Sequence, residues 1–171
     1  MKASDLKKDE YAEFYAKYIK QVGESNFLDS LKQSAQALND LFVTISDDKM
    51  NHKYADGKWT IKEVLLHIID AERVFAYRAL RFARADKTNL PGFEENEYTL
   101  VSNANNRSKS SLLSEYNAQR ASTIQLFSNF TNEMLLNIGI ASGNPMSVRA
   151  LGFVIAGHET HHCNVIKERY L

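Results

Sequence analysis

The feature that most constrains the fold is the helical spacing of apolar residues along a chain with very few helix-breaking residues. Only 7 glycines and 2 prolines interrupt the 171 residues. Between them, apolar side chains recur at intervals of three and four, the spacing of one face of an α-helix. The alternation of apolar and polar residues that is typical of strands is nearly absent. The sequence therefore predicts a single all-α domain over residues 1–171.

The periodic segments predict one extra N-terminal helix followed by four longer helices. The best-marked start is that of the second long helix, because Thr60 and Glu63 form a Thr-x-x-Glu capping box. Ser147 is the expected N-cap of the last helix. The predicted helices cover residues 4–19, 27–45, 60–85, 109–130 and 147 to the C-terminal residues.

A long irregular stretch, residues 86–107, separates the second long helix from the third. It contains Pro91-Gly92 and many asparagines, and loops of this length are usually functional. It is long enough to return the chain along a helix of about 25 residues, which spans roughly 37 Å. The second and third long helices would then be parallel, which predicts a four-helix bundle in up-down-down-up order. We expect Tyr98, Asn103, Asn105 and Asn106 of this crossover to form a pocket wall.

Three of the five histidines lie within His158–His162, in the stretch GHETHHC. The stretch fits H-E-x-x-H, the pattern of zinc proteases. Such a protease needs a third ligand downstream and a strand edge that binds the peptide. Only nine residues follow His162, and no strand is evident, so the sequence disfavours a protease.

A helical wheel places His158 and His162, but not their neighbours, on the apolar face of the last helix. His161 falls on the shoulder of that face, Glu159 lies at its opposite margin, and Cys163 lies farther round. The apolar residues of the face are Val148, Leu151, Val154, Ile155, Val165 and Ile166. Two imidazoles one turn apart on one face are able to bind a single metal ion.

His67 supplies a third imidazole. It lies about two turns after Thr60, on the apolar face that carries Val64, Ala71 and Val74. If the second and fourth long helices are antiparallel neighbours, His67 reaches the end of the bundle that holds the histidine pair. Three histidines with one open coordination position are typical of a catalytic metal site.

The stretches WTIKEVLLHIIDAE and MSVRALGFVIAGHETHHCNVIKERYL together resemble the DinB superfamily, whose members include bacillithiol- and mycothiol-dependent enzymes. The resemblance extends from about Phe27 to the end of the chain. It implies a four-helix up-down-down-up bundle, a homodimer, and one divalent metal ion per chain, commonly nickel or zinc. By position, the implied ligands are His67, His158 and His162.

Three functions follow as hypotheses. In the first, the metal ion binds a low-molecular-weight thiol and presents its thiolate to a small electrophile, which makes the protein an S-transferase. In the second, water replaces the thiol and the protein hydrolyses a small-molecule substrate, with Glu159 or Asp70 as the candidate base. Asp70 could alternatively hydrogen-bond a ligand histidine. In the third, the protein is a metal-stabilised dimeric binding module without catalysis.

Four arginines are candidates for binding the carboxylates of a thiol cofactor, although we expect each to form a surface ion pair: Arg73, Arg78, Arg107 and Arg149. Cys163 is expected to be inert because it faces away from the histidine stripe, and His52 is expected to be solvated.

The composition argues against other classes of partner. Lys+Arg and Asp+Glu are both 21, so no charge excess favours nucleic acid or an anionic membrane. A single cysteine excludes an intrachain disulfide. The N-terminal residues lack the apolar core of a signal peptide, and no stretch approaches 18 apolar residues. We therefore expect a cytoplasmic protein.

Overall fold

The computed structural model describes residues 1–171 and contains seven α-helices and one β-hairpin. Four long helices form the bundle, and the shorter elements lie on its surface. Short 3-10 turns precede or connect several of them. The helices are α1 Ala16–Ile19, α2 Phe27–Thr44, α3 Ile61–Ala83, α4 Glu95–Val101, α5 Lys109–Ser128, α6 Asn132–Leu136 and α7 Val148–Arg169, and the strands are β1 Ile138–Ala141 and β2 Asn144–Ser147.

Each long helix begins at a side-chain cap. Asn26, Thr60, Ser108 and Ser147 each accept a hydrogen bond from the backbone N–H three residues later, which satisfies a donor that has no partner inside the helix. The predicted capping box is confirmed, since Glu63 in turn accepts from the Thr60 N–H at 2.7 Å. The sequence therefore determined the starts of these helices accurately.

The helix directions follow from the hydrogen bonds between helices. Thr60, which precedes α3, bonds Asn105, which precedes α5, and Glu72 in mid-α3 bonds Arg120 in mid-α5. These two helices are therefore parallel. Tyr170, at the end of α7, donates to the Trp59 carbonyl before α3, so α7 is antiparallel to α3.

The direction of α2 completes the order. Lys109, at the start of α5, donates to the carbonyls of Phe42 and Ile45 at the end of α2, so α2 is antiparallel to α5. The predicted up-down-down-up order is confirmed. The helices α2 and α3 each pack against α5 and α7, and the crossover that contains α4 makes the parallel step. None of the helices combines the length and apolarity needed to cross a membrane.

The N-terminal segment differs from the continuous helix predicted for residues 4–19. It consists of three 3-10 turns followed by the single turn of α1. The acidic side chains of Asp5 and Glu10 accept hydrogen bonds from the backbone N–H groups of Lys2 and Lys7, an alternative to helical bonding. Glu10 is also buried and ion-paired with Arg149 at the start of α7, a long-range contact that helical periodicity does not reveal.

The hairpin of β1 and β2 was not predicted. Its two-residue turn, Ser142-Gly143, has positive φ at both positions, the conformation that suits a tight hairpin. Gly139 allows the hairpin to pack on α3, because a Cβ there would lie 2.1 Å from the Phe82 ring. The Ser-Gly dipeptide was the available signal, but each strand has only four residues.

A buried polar layer divides the apolar core into two clusters. Arg120 of α5 lies at its centre, 3% exposed, and pairs with Glu72 of α3 at 2.8 Å and Glu159 of α7 at 2.7 Å. It also donates to Ser34 and the Leu31 carbonyl of α2. Burial opposes the charged guanidinium, but the two carboxylates outweigh that effect and raise the pKa of Arg120. One guanidinium therefore connects all four bundle helices.

We expect Arg120→Met to destabilise the fold by about 3–5 kcal/mol, because it leaves two carboxylates buried without a counter-charge. The matched control is the triple variant Arg120→Met, Glu72→Gln, Glu159→Gln, which removes all three charges and should recover most of the loss. Chemical denaturation monitored by circular dichroism measures both values. A single variant as stable as the wild type would contradict this role for Arg120.

Candidate metal centre

The three histidines predicted from the wheel lie together in the structure. His67 is in the second turn of α3, and His158 and His162 are one turn apart in α7. The Nε2 atom of His158 lies 3.1 Å from that of His67 and 3.1 Å from that of His162. The candidate ligand atoms of the three residues all lie within 4.8 Å of one another.

Two of the three nitrogen spacings, those from His158, fit a shared metal ion. Two imidazole nitrogens bound at 2.0–2.1 Å in adjacent positions of tetrahedral or octahedral coordination lie about 2.8–3.4 Å apart. Burial lowers the pKa of His67 to about 4, and burial together with neighbouring imidazoles holds the pKa values of His158 and His162 well below the usual range. The rings are therefore neutral at pH 7, the state in which imidazole binds metal. These three residues could hold a divalent ion.

Aromatic side chains surround the cluster and limit how its rings can turn. The Trp59 ring lies 4.8 Å from that of His67, and the Tyr18 ring lies 5.2 Å from that of His158. Phe75 contacts His158 from the other side at 5.9 Å. Tyr18 reaches this position because Gly157 lets its backbone approach α7, where a Cβ would lie 2.0 Å from the Tyr18 carbonyl oxygen.

A cavity of about 180 Å³ opens onto the three histidines. One face of α3 forms its floor, with His67, Ala71, Phe75 and Arg78 at successive steps of four, four and three residues. This spacing keeps all four side chains on the same side of the helix. The remaining wall comes from outside the bundle helices. It consists of Phe14, Tyr15 and Tyr18 of the N-terminal segment; Trp59, which precedes α3; Phe93 and Glu95 of the crossover; and Ser142 of the hairpin turn.

The crossover does line the cavity, but through other residues than those predicted. Phe93 and Glu95 face it, whereas Tyr98, Asn103, Asn105 and Asn106 do not. Asn105 instead binds the start of α3, where it contacts Thr60 and Glu63. The sequence does not reveal that Phe93 and Glu95 face the cavity, because an irregular segment has no periodicity from which to infer the direction of a side chain.

Neither predicted base lies at the histidines. Glu159 is 1% exposed and bound to Arg120, so the glutamate of the H-E-x-x-H pattern belongs to the buried polar layer. Burial raises the pKa of Glu159, although Arg120 opposes the effect. Asp70 bonds Arg73 at 3.3 Å rather than His67, because its position on α3 directs it toward α5. Both side chains lie outside the cavity lining.

The other residues singled out by the sequence mostly behave as predicted. Cys163 is buried in the apolar core, where burial raises the pKa of its thiol to about 12, so it is inert at neutral pH. His52 is exposed. His161 is half-buried against Tyr18 at 5.4 Å and is not part of the cluster.

The four arginines divide into two groups. Arg73 and Arg107 form ion pairs with Glu115 at the surface, as expected. The Arg149 pair with Glu10 is buried rather than exposed. Arg78 is buried without a carboxylate partner, so the predicted surface ion pair is wrong for this residue.

The bundle order and the histidine cluster together define the class of protein as a four-helix bundle with a candidate metal centre on its inner wall. The sequence pattern that defines the DinB superfamily matches residues 30–166 of this chain. The chain therefore belongs to this superfamily, which confirms the resemblance found in the sequence.

Two relatives carry names that refer to metal. A provisionally named metal-dependent hydrolase of Geobacillus thermodenitrificans strain NG80-2 is 27% identical over 93 residues, and the match covers 54% of this chain and about half (49%) of that relative. The structure of YfiT from Bacillus subtilis is described as a probable metal-dependent hydrolase with an unusual four-helix bundle topology. It matches 95% of this chain and 89% of its own with a TM-score of 0.72 and 15% identity. That likeness shows the fold.

We expect Gly157→Ala to destabilise the protein by about 1–3 kcal/mol, because the added methyl group forces the Tyr18 backbone away from α7. Gly152→Ala is the matched control on the same helix, since its Cβ would meet only the side chains of Phe27 and Phe127, at 3.0 and 3.2 Å. Thermal unfolding measures both, and quenching of Tyr and Trp fluorescence by acrylamide reports exposure at the cavity. Equal stability of the two variants would contradict the close approach of α1.

Proposed function

We propose that the chain is a metal-dependent hydrolase of a small molecule, and that His67, His158 and His162 bind one divalent ion at the wall of the cavity. The observation that carries the proposal is the convergence of three neutral imidazoles beside an open cavity, with the Nε2 atom of His158 3.1 Å from that of each of the other two. A bound zinc or nickel ion would polarise the substrate and activate a water molecule as the nucleophile.

The side chains around the cluster have separate tasks in this proposal. Trp59 and Tyr18 hold the imidazole rings of His67 and His158 in place by a tilted and an edge-on ring contact, respectively. Ala71 and Phe75 form an apolar floor that excludes bulk water from the substrate. Glu95 is the one carboxylate that lines the cavity, and its charge acts on His67. We propose that Glu95 accepts the proton from the attacking water.

The metal assignment predicts the metal content of variants. Full-length protein loaded with zinc or nickel and dialysed should retain about one ion per chain, whereas His162→Ala should lose tight binding, because two imidazoles leave the ion with half of a tetrahedral ligand set. His161→Ala is the matched control, since it removes the adjacent imidazole, which is not part of the cluster. Inductively coupled plasma mass spectrometry measures the content. Retention by His162→Ala, or equal loss by His161→Ala, would refute the ligand assignment.

The role of Glu95 predicts a kinetic effect without loss of metal. Zinc- or nickel-loaded protein should hydrolyse at least one member of a panel of small esters, amides and phosphoesters. Glu95→Gln should lower kcat by about 10²-fold or more, the usual contribution of a general base, with unchanged metal content. Glu94→Gln is the matched control, because the carboxylate of Glu94 is next to Glu95 in the sequence but does not line the cavity. A kcat unchanged by Glu95→Gln would exclude Glu95 as the base.

We propose thiol transfer as the second reaction for the same site. Its support is the membership of the DinB superfamily, which includes thiol-dependent enzymes. Because Cys163 is buried in the core, any reacting thiol must come from solution. The same panel, extended by small electrophiles and by low-molecular-weight thiols including bacillithiol, separates the two reactions. Hydrolysis proceeds without thiol, whereas transfer requires it and yields a thioether.

Several expectations from the sequence stay predictions: a homodimer, a cytoplasmic location, nickel or zinc as the native ion, and no nucleic-acid or membrane partner. The third hypothesis, a binding module without catalysis, would be favoured if the metal-loaded protein turned over no member of the extended panel.

A further inference from the structure

We propose that Arg78 binds an anionic group, a carboxylate or a phosphate, of the substrate whose reacting bond lies at the three histidines. This inference rests on the proposed function, because it takes the cavity as the substrate site. It deepens that function by assigning a chemical class to the substrate and a specificity-determining role to Arg78.

The first observation is the environment of the guanidinium. Arg78 is 3% exposed and lines the cavity. Its Nη2 atom donates to the carbonyl oxygen of Pro91 at 2.8 Å and to the Ser142 hydroxyl at 3.1 Å. It also lies close enough to Tyr15 to lower the pKa of that phenol, although burial raises the pKa overall. All of these partners are neutral.

The second observation is the contrast with the other buried arginines. Arg120 has two carboxylate partners and Arg149 has one, whereas Arg78 forms no ion pair within 4 Å. Burying a charge without a counter-charge is costly. Glu95 lines the same cavity but is not paired with Arg78. The bonds to Pro91 and Ser142 use only the Nη2 atom, and the Tyr15 phenol is one further neutral neighbour. Of the five N–H donors of the guanidinium, some therefore remain for an anionic ligand.

The third observation is the geometry of the α3 face. Arg78 follows His67 by eleven residues, three turns of helix, which separates their Cα atoms by roughly 16 Å along the axis. Ala71 and Phe75 lie between them on the same face, and the small side chain of Ala71 leaves space for a ligand above the helix. A matching ligand is a small molecule with an anionic end at Arg78, an apolar middle along this floor and the reacting bond at the histidines. The cavity, of about 180 Å³, suits the binding of a small molecule.

Binding of three small probes tests the assignment. Phenylacetate, phenyl phosphate and the neutral phenylacetamide are titrated calorimetrically into the full-length protein, both metal-free and zinc-loaded. The metal-free arm removes direct binding of the anion to the ion. In both arms at least one anion should bind about tenfold more tightly than the amide, because charge-assisted hydrogen bonds to a buried guanidinium are strong. The better anion identifies the carboxylate or the phosphate as the preferred group.

Variants locate the effect. Arg78→Gln should reduce the affinity for the preferred anion to that for phenylacetamide, whereas Arg73→Gln, the matched control outside the cavity, should bind it as the wild type does. Because Arg78→Gln also loses the contacts to Pro91 and Ser142 and could unfold, a second measurement uses the wild type alone. The Arg78 guanidinium ¹⁵N signals should shift on addition of the preferred anion and not on addition of phenylacetamide.

The outcomes separate this proposal from the proposed function. The role of Arg78 would be overturned by any of three results. The metal-free protein binds the anions and phenylacetamide with equal affinity, folded Arg78→Gln binds the preferred anion as tightly as the wild type does, or the Arg78 ¹⁵N signals do not shift when that anion is added. None of these results depends on turnover. A protein that binds the anion through Arg78 yet hydrolyses nothing when loaded with zinc would retain this proposal and lose the hydrolase.

Discussion

The arrangement of the molecule depends on the buried contacts of Arg120. Its guanidinium pairs with Glu72 and Glu159 and donates to Ser34, so each of the four bundle helices contributes one polar group to the same layer. An apolar core tolerates rotation and slippage of helices, but a buried charge with fixed partners does not. Because successive residues of a helix point about 100° apart, a Glu159 that faces Arg120 places His158 and His162 roughly 60–100° around α7 from it, on the adjoining face toward His67. The same contact that holds the helices in register thus also orients the face of α7 that carries the two histidines.

The cavity is built by two different parts of the chain. The bundle supplies the histidines and the floor, from helices held in register by the polar layer. The walls come from the N-terminal segment, the crossover and the hairpin turn, which pack on the bundle through a few specific contacts. Gly157 admits the backbone of Tyr18, and Glu10 anchors the N-terminal segment to Arg149. This division allows the connections to change the shape of the cavity without disturbing the three histidines.

The sequence predicted whatever depends on local periodicity, and it failed where long-range pairing decides. The helix starts follow from the caps, and the inward direction of the three histidines follows from the apolar spacing. The parallel step follows from the length of the crossover. The wheel located Glu159 away from the histidine stripe but could not identify Arg120 as its partner, because the two residues are 39 positions apart. For the same reason the Glu10 contact with Arg149 was missed, and with it the breaking of the N-terminal helix into short turns. The residues Phe93, Glu95 and Ser142 lie in segments without periodicity, so their direction could not be inferred.

The position of Arg78 gives the cavity a fixed length. Both ends of the cavity floor, the imidazole of His67 and the guanidinium of Arg78, belong to one uninterrupted helix, and the rise of an α-helix does not change with the ligand. In the proposed role of Arg78, a substrate would therefore be measured between two points on one helix. A molecule too short to span them loses either the charge-assisted bonds at Arg78 or contact with the histidines. Because the proposed ligand must contact both ends at once, α3 would select for its length and its charge together. The apolar residues between the two ends would select for an apolar middle part of the ligand.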